Sequence, residues 1–198
     1  MANTKTPLEA DKMFHIYNHA VGKDNFFNSS ENYGFFLLKL KEYLQNYIDI
    51  YAYCLMPNHF HLVIKVKNEK DIVNEYLKKV SAKESKIKEL NFIPNIISRQ
   101  FGHFFNSYAQ AYNKENGRMG SLFTNRFKRE PIEDEIYLKK VIIYKHKNPV
   151  EAGFVELTSE WEFSSYNSII SKKETLIKRS EVINLFDDLN NFIFCHIN

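Results

Sequence analysis

The sequence predicts an α+β fold in which a ferredoxin-like antiparallel sheet carries helices on one face and leaves the other face for chemistry. Three observations predict it. The elements follow the order β-α-β-β-α from residue 13 to about residue 115. A Pro57-Asn58 turn separates two apolar runs, which indicates a β-hairpin. The second run alternates between apolar and other side chains, as a strand with one buried face does.

The first strand and the first helix are predicted between residues 13 and 47. The strand covers residues 13–21, and its alternation separates Phe14, Ile16 and Ala20 from His15, Tyr17 and His19. Ser29-Ser30 offers an N-cap, and a helix follows to about Tyr47. The apolar side chains of this helix recur at helical spacing, namely Phe36, Leu40, Tyr43, Leu44 and Tyr47.

The predicted hairpin consists of strands at residues 48–56 and 59–66. In the second strand one face carries the apolar side chains Phe60, Leu62, Ile64 and Val66. The opposite face carries His59, His61, Val63 and Lys65. The two histidines are therefore predicted to lie together on the face that is turned away from the core.

The second half of the chain is predicted to be mostly helical. A lysine-rich helix at 70–90 is followed by an interruption at Pro94 and by a helix at about 96–115. Residues 121–132 are extended and form a candidate fourth strand. A helix at 133–147 begins with acidic residues, which suit the helix dipole, and Asn148-Pro149 is expected to end it. After an irregular stretch at 154–170, a short last helix is expected near 181–190.

Length and composition set the limits of the interpretation. A chain of 198 residues with 44% hydrophobic residues can form one domain with a sizeable core. Residues 61–150 hold 18 Lys and Arg against 10 Asp and Glu, while the rest of the chain is acidic. This basic centre suits a polyanionic partner, although it can equally be a solvated surface.

Several classes of protein are not indicated. Cys54 and Cys195 make neither a disulfide framework nor a zinc cluster. The chain shows no signal core, no stretch of membrane-spanning length, no P-loop and no dinucleotide-binding glycine pattern. We expect a cytoplasmic protein with no membrane partner.

The histidine pair is a candidate metal site. Side chains at positions i and i+2 of a strand converge on one face, so His59 and His61 can bind one ion. An H-x-H pair can also be two strand histidines with no ligand. A zinc site would need a third strong ligand, which His15 or His19 could supply.

The predicted helix at 133–147 offers a tyrosine. Tyr137, Val141, Tyr144 and Asn148 fall on one side of it, and Tyr144 and Asn148 are one turn apart. If that side meets the histidines, Asn148 can give an oxygen as a third metal ligand and Tyr144 can reach a phosphate held by the metal. The alternative is an amphipathic helix that uses its tyrosine only for packing.

Five stretches together resemble a known family. They are 14–27 (FHIYNHAVGKDNFF), 53–66 (YCLMPNHFHLVIKV), 120–128 (GSLFTNRFK), 144–153 (YKHKNPVEAG) and 161–166 (WEFSSY). In order and spacing, from about residue 12 to 168, they resemble the REP-associated tyrosine transposases. This family belongs to the HUH class of single-tyrosine transposases, named for a His-hydrophobic-His pair.

The resemblance implies a site and a reaction. His59 and His61 match the metal-binding pair, Tyr144 matches the nucleophile, and Asn148 stands where a polar residue follows that tyrosine by one turn. His19 stands where many members carry Arg, which leaves the role of the first strand open. The resemblance further implies magnesium or manganese, a single-stranded DNA substrate next to a hairpin, and a 5′-phosphotyrosine intermediate in a monomer or a homodimer.

Basic residues near these stretches are candidates for contacts with DNA: Lys65, Arg118, Arg126, Lys128, Arg129, Lys145 and Lys147. We predict one transposase-like domain at residues 1–170 and a C-terminal extension, a packed helix, at residues 171–198. Two alternatives stay open at this point. One is a catalytically inactive DNA-hairpin-binding protein, and the other is a zinc hydrolase that acts on a small substrate.

Overall fold

The centre of the fold is a four-stranded antiparallel sheet. The computed structural model describes residues 4–79, 92–124 and 126–197. Its strands are β1 (Met13–His19), β2 (Ile48–Met56), β3 (His59–Val66) and β4 (Lys128–Ile132). They lie in the order β2-β3-β1-β4, and every neighbouring pair is antiparallel. The predicted α+β class with a ferredoxin-like sheet is confirmed.

The hairpin of β2 and β3 has the predicted bounds, but β2 contains a bulge. The register changes between Ile50, which lies opposite Ile64, and Ala52, which lies opposite Val63. A bulge inserts one residue into a strand and so changes which face the following side chains occupy. As a result, Cys54 lies opposite His61 on the histidine face of the sheet.

Two long helices cover the apolar face of the sheet. They are α1 (Ser30–Leu44) and α3 (Phe92–Glu115), while α2 (Glu69–Lys79) packs against α3. Aromatic rings join these layers: the Phe36 ring lies 5.2 Å from the Phe60 ring and 4.9 Å from the Phe104 ring, between centroids. Such edge and tilted contacts stabilise a core beyond its buried area.

Three predicted helix boundaries change in the structure. Helix α1 ends at Leu44, and Tyr47 is buried beyond it. Pro94 does not interrupt α3 but lies in its first turn, where the missing N–H of proline leaves no bond unmade. Helix α2 begins at Glu69, and the rest of the helix predicted at 70–90 lies outside the described residues.

The histidine face of the sheet also carries a helix. Helix α4 (Glu135–Glu151) packs on it and contacts β2 most, with β3 and β4 beside it. Asp134 caps α4, because its carboxylate accepts a hydrogen bond of 2.7 Å from the backbone N–H of Tyr137. The predicted stop at Asn148-Pro149 is wrong: the helix continues for two residues beyond the buried Pro149. Asn148 therefore stays helical.

The C-terminal part of the chain covers the free edge of β2. The single helix predicted near 181–190 is in fact two, α6 (Arg179–Leu185) and α7 (Leu189–Ile197), which follow α5 (Tyr166–Ile170). Backbone bonds join Leu55 to Phe163, Tyr53 to Ser165 and Ile50 to Lys178. This cover protects an edge strand from pairing with another chain.

Residues beyond 170 also contribute buried side chains to the same core, namely Ile177, Val182, Phe186 and Phe192. The division of the chain at residue 170 stays a prediction. Across the described ranges, no helix is both long and apolar enough to span a bilayer.

Candidate active site

His59 and His61 lie side by side at the start of β3. Their ring centroids are 5.1 Å apart, with an interplanar angle of 77°. Burial, with smaller contributions from neighbouring positive charge, lowers the pKa of His59 to about 4 and the pKa of His61 well below its ordinary value. Both imidazoles are therefore neutral at neutral pH, which is the form that binds metal ions.

One nitrogen of each ring is already used. His59 Nδ1 lies 2.8 Å from the Asn58 side-chain oxygen, and His61 Nδ1 lies 2.9 Å from His15 Nε2. An amide oxygen can only accept, so His59 Nδ1 carries the proton and the His59 Nε2 lone pair is available to a ligand. The chemistry of the pair fits a divalent metal ion.

The first strand surrounds the pair with more imidazoles. The His19 ring stacks on the His59 ring at 5.0 Å between centroids, and His15 is almost fully buried beside His61. Among residues 4–79, 92–124 and 126–197, no group of three or more His, Cys, Asp and Glu side chains is arranged to hold a metal ion. The described side chains of these four types do not supply the third strong ligand that a zinc hydrolase would need.

Tyr144 and Asn148 lie in the C-terminal half of α4. The Tyr144 side chain is 51% exposed, so it is not a core residue. Neither the Tyr144 hydroxyl nor the half-buried Asn148 amide makes a hydrogen bond within the described parts of the chain. Because α4 continues past Pro149, the two side chains remain one helical turn apart.

Lys145 connects the tyrosine with the histidines. Its side chain is only 9% exposed, although it follows an exposed residue in the helix. The Lys145 ammonium lies 4.4 Å from the centroid of the Tyr144 ring, a cation–π distance. After burial itself, the charge of Lys145 is among the causes that lower the pKa values of His15, His59 and His61. The sequence suggested a DNA contact here, and the structure places the cation inside the site.

Known proteins resemble the chain in sequence and in fold. A protein of Haemophilus influenzae named "Putative REP-associated tyrosine transposase" is 26% identical over 116 residues, which are 59% of this chain and 57% of that protein. A solved structure of a REP-associated tyrosine transposase bound to a REP hairpin covers 87% of each chain with a TM-score of 0.57 and 14% identity. The resemblance to REP-associated tyrosine transposases is confirmed. No family model matches the chain.

Two of the cations that the sequence suggested as DNA contacts are engaged inside the fold. Arg129 of β4 is 9% exposed on the side of the sheet that α3 covers, where it donates to the Thr6 carbonyl and the Ser98 hydroxyl. Arg118 forms an ion pair with Asp24 and donates to Asn113. Arg129 therefore joins β4 to the N-terminal segment and to α3, and Arg118 joins Asp24 to α3, so both guanidinium groups already have partners within the fold.

The remaining predicted cations occupy different places. Lys128 lies on the histidine face, with its ammonium 5.5 Å from the Tyr17 ring centroid. Arg126 is exposed, and Lys147 is half-buried in α4, two residues after Lys145. Lys65 lies four residues along β3 from His61, opposite Met13 and Asp49. Of these four, Lys128 is the cation best placed beside the residues that the transposase resemblance marks.

Sequence reasoning missed two groups of side chains. Glu130 of β4 contacts His15 and Tyr17, and this depends on a pairing of β1 with β4 that no local pattern reveals. His146 of α4 is fully buried and hydrogen-bonded to His196 and Ser165. The only available signal was its position one helical turn after Ile142 on the apolar side of α4.

Proposed function

We propose that the chain cleaves and rejoins single-stranded DNA next to hairpins, with Tyr144 as the nucleophile and a magnesium or manganese ion held by His59, His61 and Asn148. One observation carries the proposal. A neutral imidazole pair lies on the face over which α4 packs, and α4 offers, beside a nearly buried Lys145, a tyrosine hydroxyl that makes no hydrogen bond to any described residue. The resemblance to REP-associated tyrosine transposases supports the same reaction.

The donor set suits weak binding of a hard cation. Two neutral nitrogen donors and one amide oxygen bring no negative charge, so we expect the ion to bind tightly only together with a DNA phosphate. Such an ion supplies charge neutralisation at a phosphate oxygen. His59 and His61 hold their rings on a rigid strand, and Asn148 holds its amide on a helix.

The proposed reaction exchanges one phosphodiester for another. The Tyr144 oxygen attacks phosphorus in line, the new O–P bond forms, and the bond from phosphorus to the 3′ oxygen breaks. The phenol loses its proton and the leaving 3′ oxygen gains one, so a 5′-phosphotyrosine and a free 3′-OH result. Because the number of phosphodiesters is unchanged, the step needs no ATP, and a second 3′-OH can reverse it to join strands.

The position of Lys145 suits the stabilisation of negative charge during the proposed reaction. Its ammonium faces both the Tyr144 ring and the imidazoles, where a DNA phosphate and a developing phenolate would add negative charge. A cation fixed in a partly buried site stabilises such charge more than one in open solvent does. We propose that Lys145 stabilises the transition state, while Lys65, Arg126, Lys128 and Lys147 contact the DNA backbone.

A labelled hairpin oligonucleotide tests the proposal. The phosphotyrosine stays on the 3′ fragment, so a 3′-labelled strand with manganese should become covalently attached to the wild-type protein. A 5′-labelled strand should give a shorter product that ends in a 3′-OH. Tyr144→Phe should abolish the adduct. Tyr137→Phe, a matched change of another exposed tyrosine on α4, should leave it intact.

Other outcomes would change the function. Hairpin binding by the wild-type protein without any adduct would indicate the catalytically inactive hairpin-binding protein. Stoichiometric zinc in the purified protein, together with indifference to DNA, would indicate the zinc hydrolase. Mixing Tyr144→Phe with a His59→Ala/His61→Ala double variant would show whether a monomer or a homodimer completes the site: a recovered adduct would indicate a homodimer that shares the site, and no adduct would indicate a monomer.

A further inference from the structure

We propose that His15 and Glu130 position His61 for metal binding: the hydrogen bond between His61 and His15, oriented by the Glu130 carboxylate beside His15, keeps the proton of His61 on Nδ1. The inference rests on the proposed function, since it concerns the same metal ion. It assigns a role to two residues on strands β1 and β4 that are not among the proposed metal ligands.

The line of polar side chains crosses from β4 to β1 between directly opposite residues and then steps diagonally from β1 to β3, because Val63 is the residue opposite His15. Glu130 lies opposite His15 in the pairing of β4 with β1, and Tyr17 lies opposite His61 in the pairing of β1 with β3. The Glu130 carboxylate lies 3.5 Å from His15 Nδ1, and His15 Nε2 lies 2.9 Å from His61 Nδ1. Three neighbouring strands therefore each contribute one group to a single line of polar atoms.

The Glu130 carboxylate determines which ring nitrogens of His15 and His61 carry a proton. An ionised carboxylate can only accept, so His15 Nδ1 is the nitrogen that carries a proton towards Glu130. A neutral His15 then has a lone pair on Nε2, which accepts from His61 Nδ1. His61 consequently has its own lone pair on Nε2, the nitrogen that is left for a metal ion.

Neighbouring contacts keep this line in place. The Tyr17 hydroxyl donates to the other carboxylate oxygen of Glu130 at 2.8 Å, which stops the carboxylate from turning away from His15. The His15 ring is stacked on the Tyr17 ring, with 4.7 Å between centroids. His59 reaches the same tautomer by a different route, through Asn58, so both metal-binding rings present Nε2.

Loss of an outer partner of this kind typically weakens metal affinity by about 10- to 100-fold. We therefore expect His15→Phe and Glu130→Leu to weaken manganese binding by about this factor. Glu130→Gln keeps an oxygen acceptor and should lose less. His19→Phe is the matched control, because His19 is another histidine of β1 on the same face that stacks on His59 but donates nothing to His61.

Two measurements test the inference, and neither follows turnover. Nitrogen-15 NMR of the metal-free protein should show the His61 proton on Nδ1 in wild type and in Glu130→Gln, and a shift of it to Nε2 in His15→Phe. Electron paramagnetic resonance of free manganese should give the manganese affinity of the Tyr144→Phe protein in complex with a hairpin oligonucleotide. The same measurement is repeated on Tyr144→Phe combined with each of the other substitutions. Thermal melts verify that each variant is folded, and the half-exposed Glu130 is the safer position if His15→Phe does not fold.

The outcomes separate the two ideas. A His61 proton on Nε2 in the wild-type protein overturns the inference, as does an unchanged manganese affinity in Glu130→Leu. Absence of manganese binding in the parent protein overturns the metal role in the proposed function, and the inference falls with it. Manganese binding and adduct formation that persist unchanged in all the His15 and Glu130 variants would overturn the inference alone.

Discussion

At the scale of single residues, the proposed site depends on charged and titratable side chains that are only partly exposed to solvent. Lys145 is the clearest case, because a nearly buried ammonium lies beside an exposed phenol and three neutral imidazoles. Burial lowers the pKa of Lys145 itself. A cation in such a place is expensive to desolvate, so it is expected to serve the chemistry rather than the stability of the fold.

Replacing this cation tests its role. We expect Lys145→Met, which keeps most of the side-chain volume, to slow formation of the DNA adduct by at least about tenfold at saturating hairpin. Binding of the hairpin should change far less. Single-turnover rates and a separate binding titration measure the two effects. Lys140→Met is the control, since Lys140 is an exposed lysine of the same helix with no role in the proposed site; an equal loss of rate in both variants would contradict the assignment.

At the scale of elements, α4 is held in place by a buried polar chain. His146 is bonded to His196 Nε2 of α7 at 2.9 Å and to the Ser165 hydroxyl at 2.7 Å, and Ser165 in turn bonds the backbone of Tyr53 in β2. Buried polar groups keep their free energy low only when each one has a partner. These hydrogen bonds therefore connect α4, the helix that carries Tyr144, to α7 and β2.

This polar chain predicts a pH dependence of stability. Burial lowers the pKa of His146 well below 6.5 and the pKa of His196 to about 4. The unfolded chain binds protons near pH 6.5, whereas the folded chain does not do so until much lower pH. The free energy of unfolding should therefore be highest above about pH 6.5 and should decrease as the pH is lowered from about 6.5 to about 4.

Urea unfolding at pH 7.5 and pH 5 measures this dependence. His15, His59 and His61, whose pKa values desolvation also lowers, should contribute to the pH dependence with the same sign. His196→Gln removes one titrating group and should reduce the pH effect by at most about 1.4 kcal/mol per pH unit. His103→Gln removes an exposed histidine and should leave the wild-type difference. Greater stability at pH 5 than at pH 7.5 would contradict the prediction.

At the scale of the whole molecule, both faces of the sheet and one of its edges are covered. Helices α1 and α3 bury the apolar face, α4 packs on the histidine face, and the segment from Phe163 to Lys178 covers the edge of β2. The C-terminal extension thus shares the core of the domain. Its removal would expose both apolar surface and a strand edge.

Truncation after residue 170 tests the contribution of the extension. Loss of the buried Val182, Phe186 and Phe192, at about 1.5–3 kcal/mol for each side chain, should remove at least about 4 kcal/mol of stability. The shortened chain is expected to aggregate or to melt at a much lower temperature, as calorimetry and light scattering would show. A chain that ends at His196 is the control and should melt like the full protein. A stable 1–170 fragment would show instead that the extension folds separately.

The local patterns of the sequence determined the bounds of β2 and β3, the common face of His59 and His61, and the one-turn spacing of Tyr144 and Asn148. Strand alternation and helical period are properties of neighbouring residues, so they are visible without coordinates. Five motifs in one order also determined the resemblance. These features cover most of the proposed site.

Tertiary structure decided which of these side chains meet and which lie inside. The line from Glu130 through His15 to His61 needs two strand pairings between residues far apart in sequence. The inward turn of Arg129 and Lys145 and the passage of α4 through Pro149 depend on what packs against them. Long-range pairing and packing energies outweigh local preferences, and no stretch of sequence read alone contains them.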